Sequence, residues 1–492
     1  MEKFKFLSGI MGLALLASCS SDAPSVIDNA PSNEKYLAIN FVQTGGTRAD
    51  NNALAGESTI KDLQLIILDS KGIELVREIS TSIDGNKAEF GIKTVVYNML
   101  KEKTAAGEAL SIYVYANGIE NGIRLDNPQQ LLSGVANIIT WDKSKGFLMS
   151  NAEEVKNTLQ PAPTGEDAGQ PGNAWVIAGD VKLARLATRF DYKNNVENDE
   201  YVAGSDKNLT IKVVGMAPVT HATATYRLPQ FSATGGTTGM APFKTTDRPY
   251  AVTENSTGIL STFQGHDFSM VPGTNEKVYG RPNTIRKGQT AAFNNSPYVA
   301  VKAEFSSATL TKSMALGENV YSVNGVFIGG VEDLKAMGGT FNVETKEEYA
   351  DGSDEMVKIQ NAIDMVNGYL AVADFTKPKA QIEARLKQVI GSAREFKATN
   401  VGTAEEPSYK YYTYYSQLIE HDPNQTDQAF RYNILRNHVY NLGVNSIAFL
   451  GYNRDNKPGD ADVVDEANDF YISLSVSVAD WILNVTNEKL DL

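Results

Sequence analysis

Apolar and polar side chains alternate in short runs along most of this 492-residue chain, the period of two that marks half-buried β-strands. The most regular run lies near the end, where Phe470, Ile472, Leu474, Val476 and Val478 are spaced by Tyr471, Ser473, Ser475 and Ser477. Near the start, Leu37, Ile39 and Phe41 share one face of Tyr36–Val42. Leu63–Asp69 reads as a buried strand ending in a Ser-Lys-Gly turn, and Ser111–Ala116 as another ending in Asn117-Gly118, residues that accept tight-turn backbone angles. Trp175–Gly179 and Val181–Ala187 read as two separate strands, and Thr210–Gly215 and Asn437–Ile447 as two more. One helix is expected: Ile382, Leu386, Val389, Ile390 and Ala393 recur at helical spacing, and Pro378 suits a first turn. From about 230 to 295, Thr, Gly, Asn and Pro without periodicity predict long surface loops. No repeat recurs at a fixed period, and the length allows two or three domains.

Charge and composition narrow the classes of partner. The net charge is -14, from 59 acidic and 45 basic residues with no basic cluster, and phosphate backbones need concentrated Lys and Arg, so nucleic acid is excluded as a partner. Cys19 is the single cysteine, so no disulfide is expected and stability must come from core burial. The motifs of serine hydrolases, zinc proteases, P-loop enzymes and thiol oxidoreductases are absent. His421 and His438 read as structural residues. The acidic loop 453–466 fails as a calcium loop: with Gly459 at its sixth position, Arg454 stands at the first and Asp465 at the twelfth, where Glu is required. Tyr409, Tyr411, Tyr412, Tyr414 and Tyr415 suit either strand packing or a platform for sugars. No catalytic residue, metal site or cofactor is expected.

The N-terminus carries the strongest local signal. A basic start, Met1-Glu2-Lys3-Phe4-Lys5, precedes an apolar run from Phe6 to Ala17 of about a dozen residues. A bilayer span needs roughly 20, so this run is a signal segment rather than an anchor. It leads into Leu16-Ala17-Ser18-Cys19, which resembles the lipobox of bacterial lipoproteins. That resemblance implies cleavage before Cys19 and acylation of it, and stable attachment takes two or more acyl chains. Ser20 to Asn33, polar with two prolines, reads as a tether. After the first strand, Gly45-Gly46-Thr47-Arg48-Ala49 reads as a loop that a protease can enter.

Taken in order, these features resemble the fimbrillins of type V pili, the lipoprotein-derived pilins of Bacteroidales, and most closely the shaft subunits of minor-fimbria type. The resemblance is carried by the lipobox at Cys19, Tyr36–Val42 and Thr47-Arg48-Ala49. Further along, it is carried by Phe147-Leu148-Met149-Ser150 with Leu183–Ala187, by Arg436–Tyr440, and by the alternating C-terminal strands. It implies a mainly β chain with two transthyretin-like β-sandwich domains and a few short inserted helices. Its divisions would be a signal peptide 1–18, a propeptide 19–48 holding a removable first strand, an N-terminal sandwich 49–222 and a C-terminal sandwich 223–492. It implies a lipidated precursor in the outer membrane, cut between Arg48 and Ala49 by an arginine-specific surface protease. The strand bearing Leu37, Ile39 and Phe41 would leave. A donor segment of another copy, about 480–492 with Trp481, Leu483 and Val485 as plugs, would take its place. The implied partners are copies of itself head-to-tail and the anchor and tip subunits of a cell-surface fimbria that supports adhesion. Two rivals remain: a tip or accessory subunit of the same pilus, and a permanently lipid-anchored glycan-binding lipoprotein that uses the Tyr-rich segment.

Overall fold

The computed structural model describes residues 34–480 apart from 44–55, 137–143, 204–208, 256–264, 342–353, 456–471 and a few single or paired residues. Cys19, Arg48, Ala49, Trp481, Leu483 and Val485 therefore lie outside the described residues. The chain is mainly β, as its alternation predicts, with a small number of helices.

The first large core is enclosed by one nine-stranded sheet that curls on itself. Its order runs Glu74–Ser80, Leu63–Leu68, Leu110–Ala116, Met149–Asn151, Trp175–Arg185, Glu34–Gln43, Lys87–Lys93, Ile83–Asp84, with Lys156–Asn157 beside Leu110–Ala116. Leu63, Leu65 and Ile67 meet Ile112, Val114, Phe90 and Trp175 inside it. Trp175–Arg185 is one strand of 11 residues where the sequence suggests two. The break at Gly179-Asp180 is absorbed as a bulge, since the register opposite the first strand slips between Ile39 and Phe41. A helix over Thr94–Ala105, not expected from the pattern, sets Tyr97 edge-on to Trp175 with ring centres 5.3 Å apart. Only Tyr97 and Leu100 of this helix are buried, too few to mark an apolar stripe.

The second core lies between two sheets. One has the order Glu200–Ala203, Leu209–Val219, Tyr298–Ser307, Tyr409–Leu418, Thr399–Asn400; the other has Val278–Gly280, Thr188–Tyr192, His438–Ile447, Ile472–Asp480. Ile211, Val301, Phe305, Tyr411 and Tyr415 from one sheet face Phe190, Tyr440, Leu442 and Val444 from the other. Ala187 belongs to the first core and Phe190 to the second, so the passage between cores falls well before 222. Leu209–Val219 accordingly pairs with Tyr298–Ser307 and not with the first sheet.

A third, mostly helical core is inserted between Tyr298–Ser307 and Tyr409–Leu418. Lys379–Ile390 is the expected helix, with Pro378 at its N-cap, and Ile382, Leu386 and Ile390 are buried. The 19-residue helix Asp354–Val372 was not expected, although Ile359, Ile363, Val366 and Leu370 repeat at helical spacing. From 230 to 295 the chain is largely irregular but tied down. Gln230–Ser232 pairs with Ala241–Pro242 and Tyr250–Val252, and Tyr250 stacks on Phe430 at 4.6 Å. Among the described residues no helix is long and apolar enough to cross a membrane.

Candidate functional site

The first strand is a central strand. It pairs in parallel with Trp175–Arg185 on one side and antiparallel with Lys87–Lys93 on the other. It is the only parallel pairing of that sheet among the described residues. Leu37 and Ile39 are fully buried and Phe41 is 2 % exposed, as their shared face predicts. Beyond the ladders, Tyr36 N–H donates to the Gly169 carbonyl at 2.8 Å, Phe41 N–H to Asn86 at 2.9 Å, and the Lys35 ammonium to Ala168 at 2.7 Å. Burying three such apolar side chains contributes about 1.5–3 kcal/mol each, or roughly 5–9 kcal/mol together. Backbone pairing on both edges adds to this.

The described residues continue at Gly56, and a buried polar group that the sequence reading did not single out follows at Glu57. Glu57 is fully buried; one carboxylate oxygen accepts from Arg189 at 2.9 Å and the other from the Tyr279 hydroxyl at 2.5 Å. Its carbonyl accepts from Arg185 Nε at 3.0 Å. Arg189 also makes a two-pronged pair with Asp191 at 2.9 Å per bond, and Lys277 reaches Asp191 at 3.2 Å. Burial pulls the Arg185 guanidinium down to about 9, and burial with the Glu57 contact pushes the Tyr279 hydroxyl well above its ordinary range. Arg189 and Asp191 share one face of the buried strand Thr188–Tyr192, but Glu57 joins them only through the fold. None of these partners lies in the first strand.

At the other end, among the described residues, Ile472–Asp480 pairs only with His438–Ile447 and lies at a sheet edge, with Asp480 opposite His438. His438 Nδ1 lies 2.6 Å from the Arg436 carbonyl and His421 Nδ1 lies 2.9 Å from the Tyr440 hydroxyl, the structural roles expected of them. The Tyr-rich strand divides its side chains. Tyr411 and Tyr415 are core residues whose hydroxyls donate to the Glu318 and Phe449 carbonyls at 2.6 and 2.9 Å. Tyr412 lies under the Lys302 ammonium at 4.2 Å, and Tyr414 packs on Phe268 at 5.8 Å. The cluster thus forms no single aromatic face. Among the described residues no group of three or more His, Cys, Asp or Glu is placed to hold a metal.

A mainly β chain whose first strand is set between two others, and whose last described strand lies on an edge, is the class these elements define. Residues 408–487 match the family described as "Major fimbrial subunit protein type IV, Fimbrillin, C-terminal". Over that region the chain is similar to the fimbrillins, the family its sequence resembles. Among solved structures it is similar to a protein assigned to cell adhesion from Parabacteroides distasonis (12% identity, 91% of this chain and 100% of that one, TM-score 0.41). It is also similar to a fimbrilin (fimA) from Porphyromonas gingivalis (11%, 92% and 99%, TM-score 0.39). A third is the tip fimbrial protein Mfa3 of Porphyromonas gingivalis with C-terminal truncation (12%, 91% and 100%, TM-score 0.32). These likenesses in shape are loose, and the likeness to fimbrillins rests on the match over residues 408–487. No curated protein matches the chain.

Proposed function

We propose that this fimbrillin is a structural subunit of a cell-surface fimbria that supports adhesion and polymerises by protease-triggered strand exchange. One observation carries the reading. The strand that comes first in the chain is central in its sheet, and Arg48 stands between it and the clamp at Glu57. A cut between Arg48 and Ala49 disconnects the strand and leaves the rest of the chain held. The groove then has two unpaired edges, Trp175–Arg185 and Lys87–Lys93, which recruit another strand. Trp481, Leu483 and Val485 of a neighbouring copy repeat the alternation of Leu37, Ile39 and Phe41 and fill it. Donation of this kind is head-to-tail, does not close, and makes a filament.

Acylated at Cys19, the precursor is held at the outer membrane until an arginine-specific protease frees it; it then meets its own copies and the anchor and tip subunits. Sequencing the N-terminus of protein taken from the cell surface, beside an unboiled gel, tests this. A start at Ala49 with a ladder of polymers is expected. A monomer retaining lipidated Cys19 overturns it.

A further inference from the structure

A cleft of about 630 Å³ lies where the first strand ends. Val42, on the face opposite Phe41, lines it from one side, and Lys182 and Ala184 of the adjacent strand line it next. Arg436, His438 and Thr225 line the far side, and the remaining wall is largely apolar. Two features there are unusual. Arg436 donates only to the backbone carbonyls of Arg227 (3.3 Å) and Tyr226, and among the described residues no carboxylate pairs with it. Burial pulls its guanidinium down to about 10, the mark of a cation held without a counter-charge. Thr225 is 1 % exposed and its hydroxyl has no hydrogen-bond partner among the described residues. Lys182, by contrast, is paired with Glu153 at 3.1 Å.

Because the cleft is continuous with the place of the first strand, any strand that replaces it runs into this space. Val42 is in register with Lys182 and Gln43 with Leu183. With Trp481 of an incoming copy in the place of Leu37, Leu483 and Val485 take those of Ile39 and Phe41. Thr486 then takes the place of Val42, and Glu488 falls two residues further, level with Ala184. Strand alternation puts Glu488 on the cleft face, whereas Asp491, an odd position further on, does not share that face. We propose that this cleft is the terminal subsite of the groove, where Glu488 of a neighbouring copy pairs with Arg436 and fixes the register of the donated strand. The inference rests on the strand-exchange reading above. A pair of this kind supplies register and selectivity, because a slip of one residue turns the carboxylate away from the cleft.

The test uses the subunit cut after Arg48 and freed of its first strand, titrated with synthetic peptides spanning Trp481–Leu492. The unaltered peptide is expected to bind, and the Glu488→Gln peptide to bind about tenfold more weakly. The Asp491→Asn peptide is expected to match the unaltered one. On an Arg436→Gln subunit the unaltered and Glu488→Gln peptides should bind alike. The peptide substitutions leave the folded subunit untouched, so they decide the matter even where Arg436→Gln impairs folding. Equal loss from both peptide substitutions, or from neither, overturns the subsite while strand exchange stands. Failure of the unaltered peptide to bind overturns strand exchange and the subsite with it.

Discussion

The first core is completed by a strand that precedes every other described element, whereas the second is built from strands that all lie beyond Ala187. In the first, Glu34–Gln43 has neighbours on both sides and three apolar side chains sealed from water. In the second, Ile472–Asp480 has one neighbour, and of its described side chains only Ile472 is fully buried. The contrast separates a strand the fold cannot lose without opening from one whose loss thins an edge. In the proposed strand exchange the two ends of the chain do different work, one holding the place that another strand would fill, the other preceding the segment proposed as donor.

The comparison breaks most readily at Phe41. Phe41→Ala in the uncut chain should lower stability by about 3–5 kcal/mol, read by urea unfolding, because the site is enclosed on all sides. After the cut and removal of the first strand, protein made from the Phe41→Ala and unaltered chains should be equally stable; a penalty that persists would mean the strand has not left. Next is the clamp. Glu57→Ala leaves Arg189 and Tyr279 short of a buried partner and should cost about 3 kcal/mol, in cut and uncut chains alike. A cost seen only in the uncut chain would show that the clamp depends on the first strand. On the edge strand, Leu474→Ala removes a half-buried side chain and should cost only about 1–2 kcal/mol by the same assay.

The smallest effect concerns the helical insert. Burial pushes the Glu318 carboxyl up, but the Glu332 N–H, the Lys379 ammonium at 2.8 Å and the Ser313 hydroxyl together take it below its ordinary 4.5. A carboxyl lowered on folding contributes stability above 4.5 that is lost as the pH falls through its folded value. Hydrogen exchange in Lys379–Ile390 should therefore quicken as the pH drops below 4.5, beyond the intrinsic pH trend, and Glu318→Gln should flatten that extra dependence.

Strands that alternate cleanly were legible in the sequence: Leu37, Ile39 and Phe41 share one buried face, and Ile472 to Val478 alternate with serines on a partly exposed edge strand. The helix Asp354–Val372 was missed although Ile359, Ile363, Val366 and Leu370 repeat at helical spacing, and Thr94–Ala105 was missed where only two residues are buried. Trp175–Arg185 was split because a bulge at Gly179-Asp180 looks like a turn when its partner strand is unknown. The passage between cores was not legible, because Leu209–Val219 has the same pattern whichever sheet it joins. Of the site, the apolar face of the first strand was readable, while the clamp and the cleft were not. Glu57, Arg189 and Arg436 acquire their partners only when segments distant in sequence meet.

The most direct test of the central claim is hydrogen exchange in Lys87–Lys93 and Trp175–Arg185, the two strands that flank the first. Both should be protected in the uncut chain, lose protection together once the chain is cut after Arg48 and the first strand is removed, and regain it when the peptide Trp481–Leu492 is added. Protection that survives removal of the strand, or that the peptide does not restore, would contradict the account.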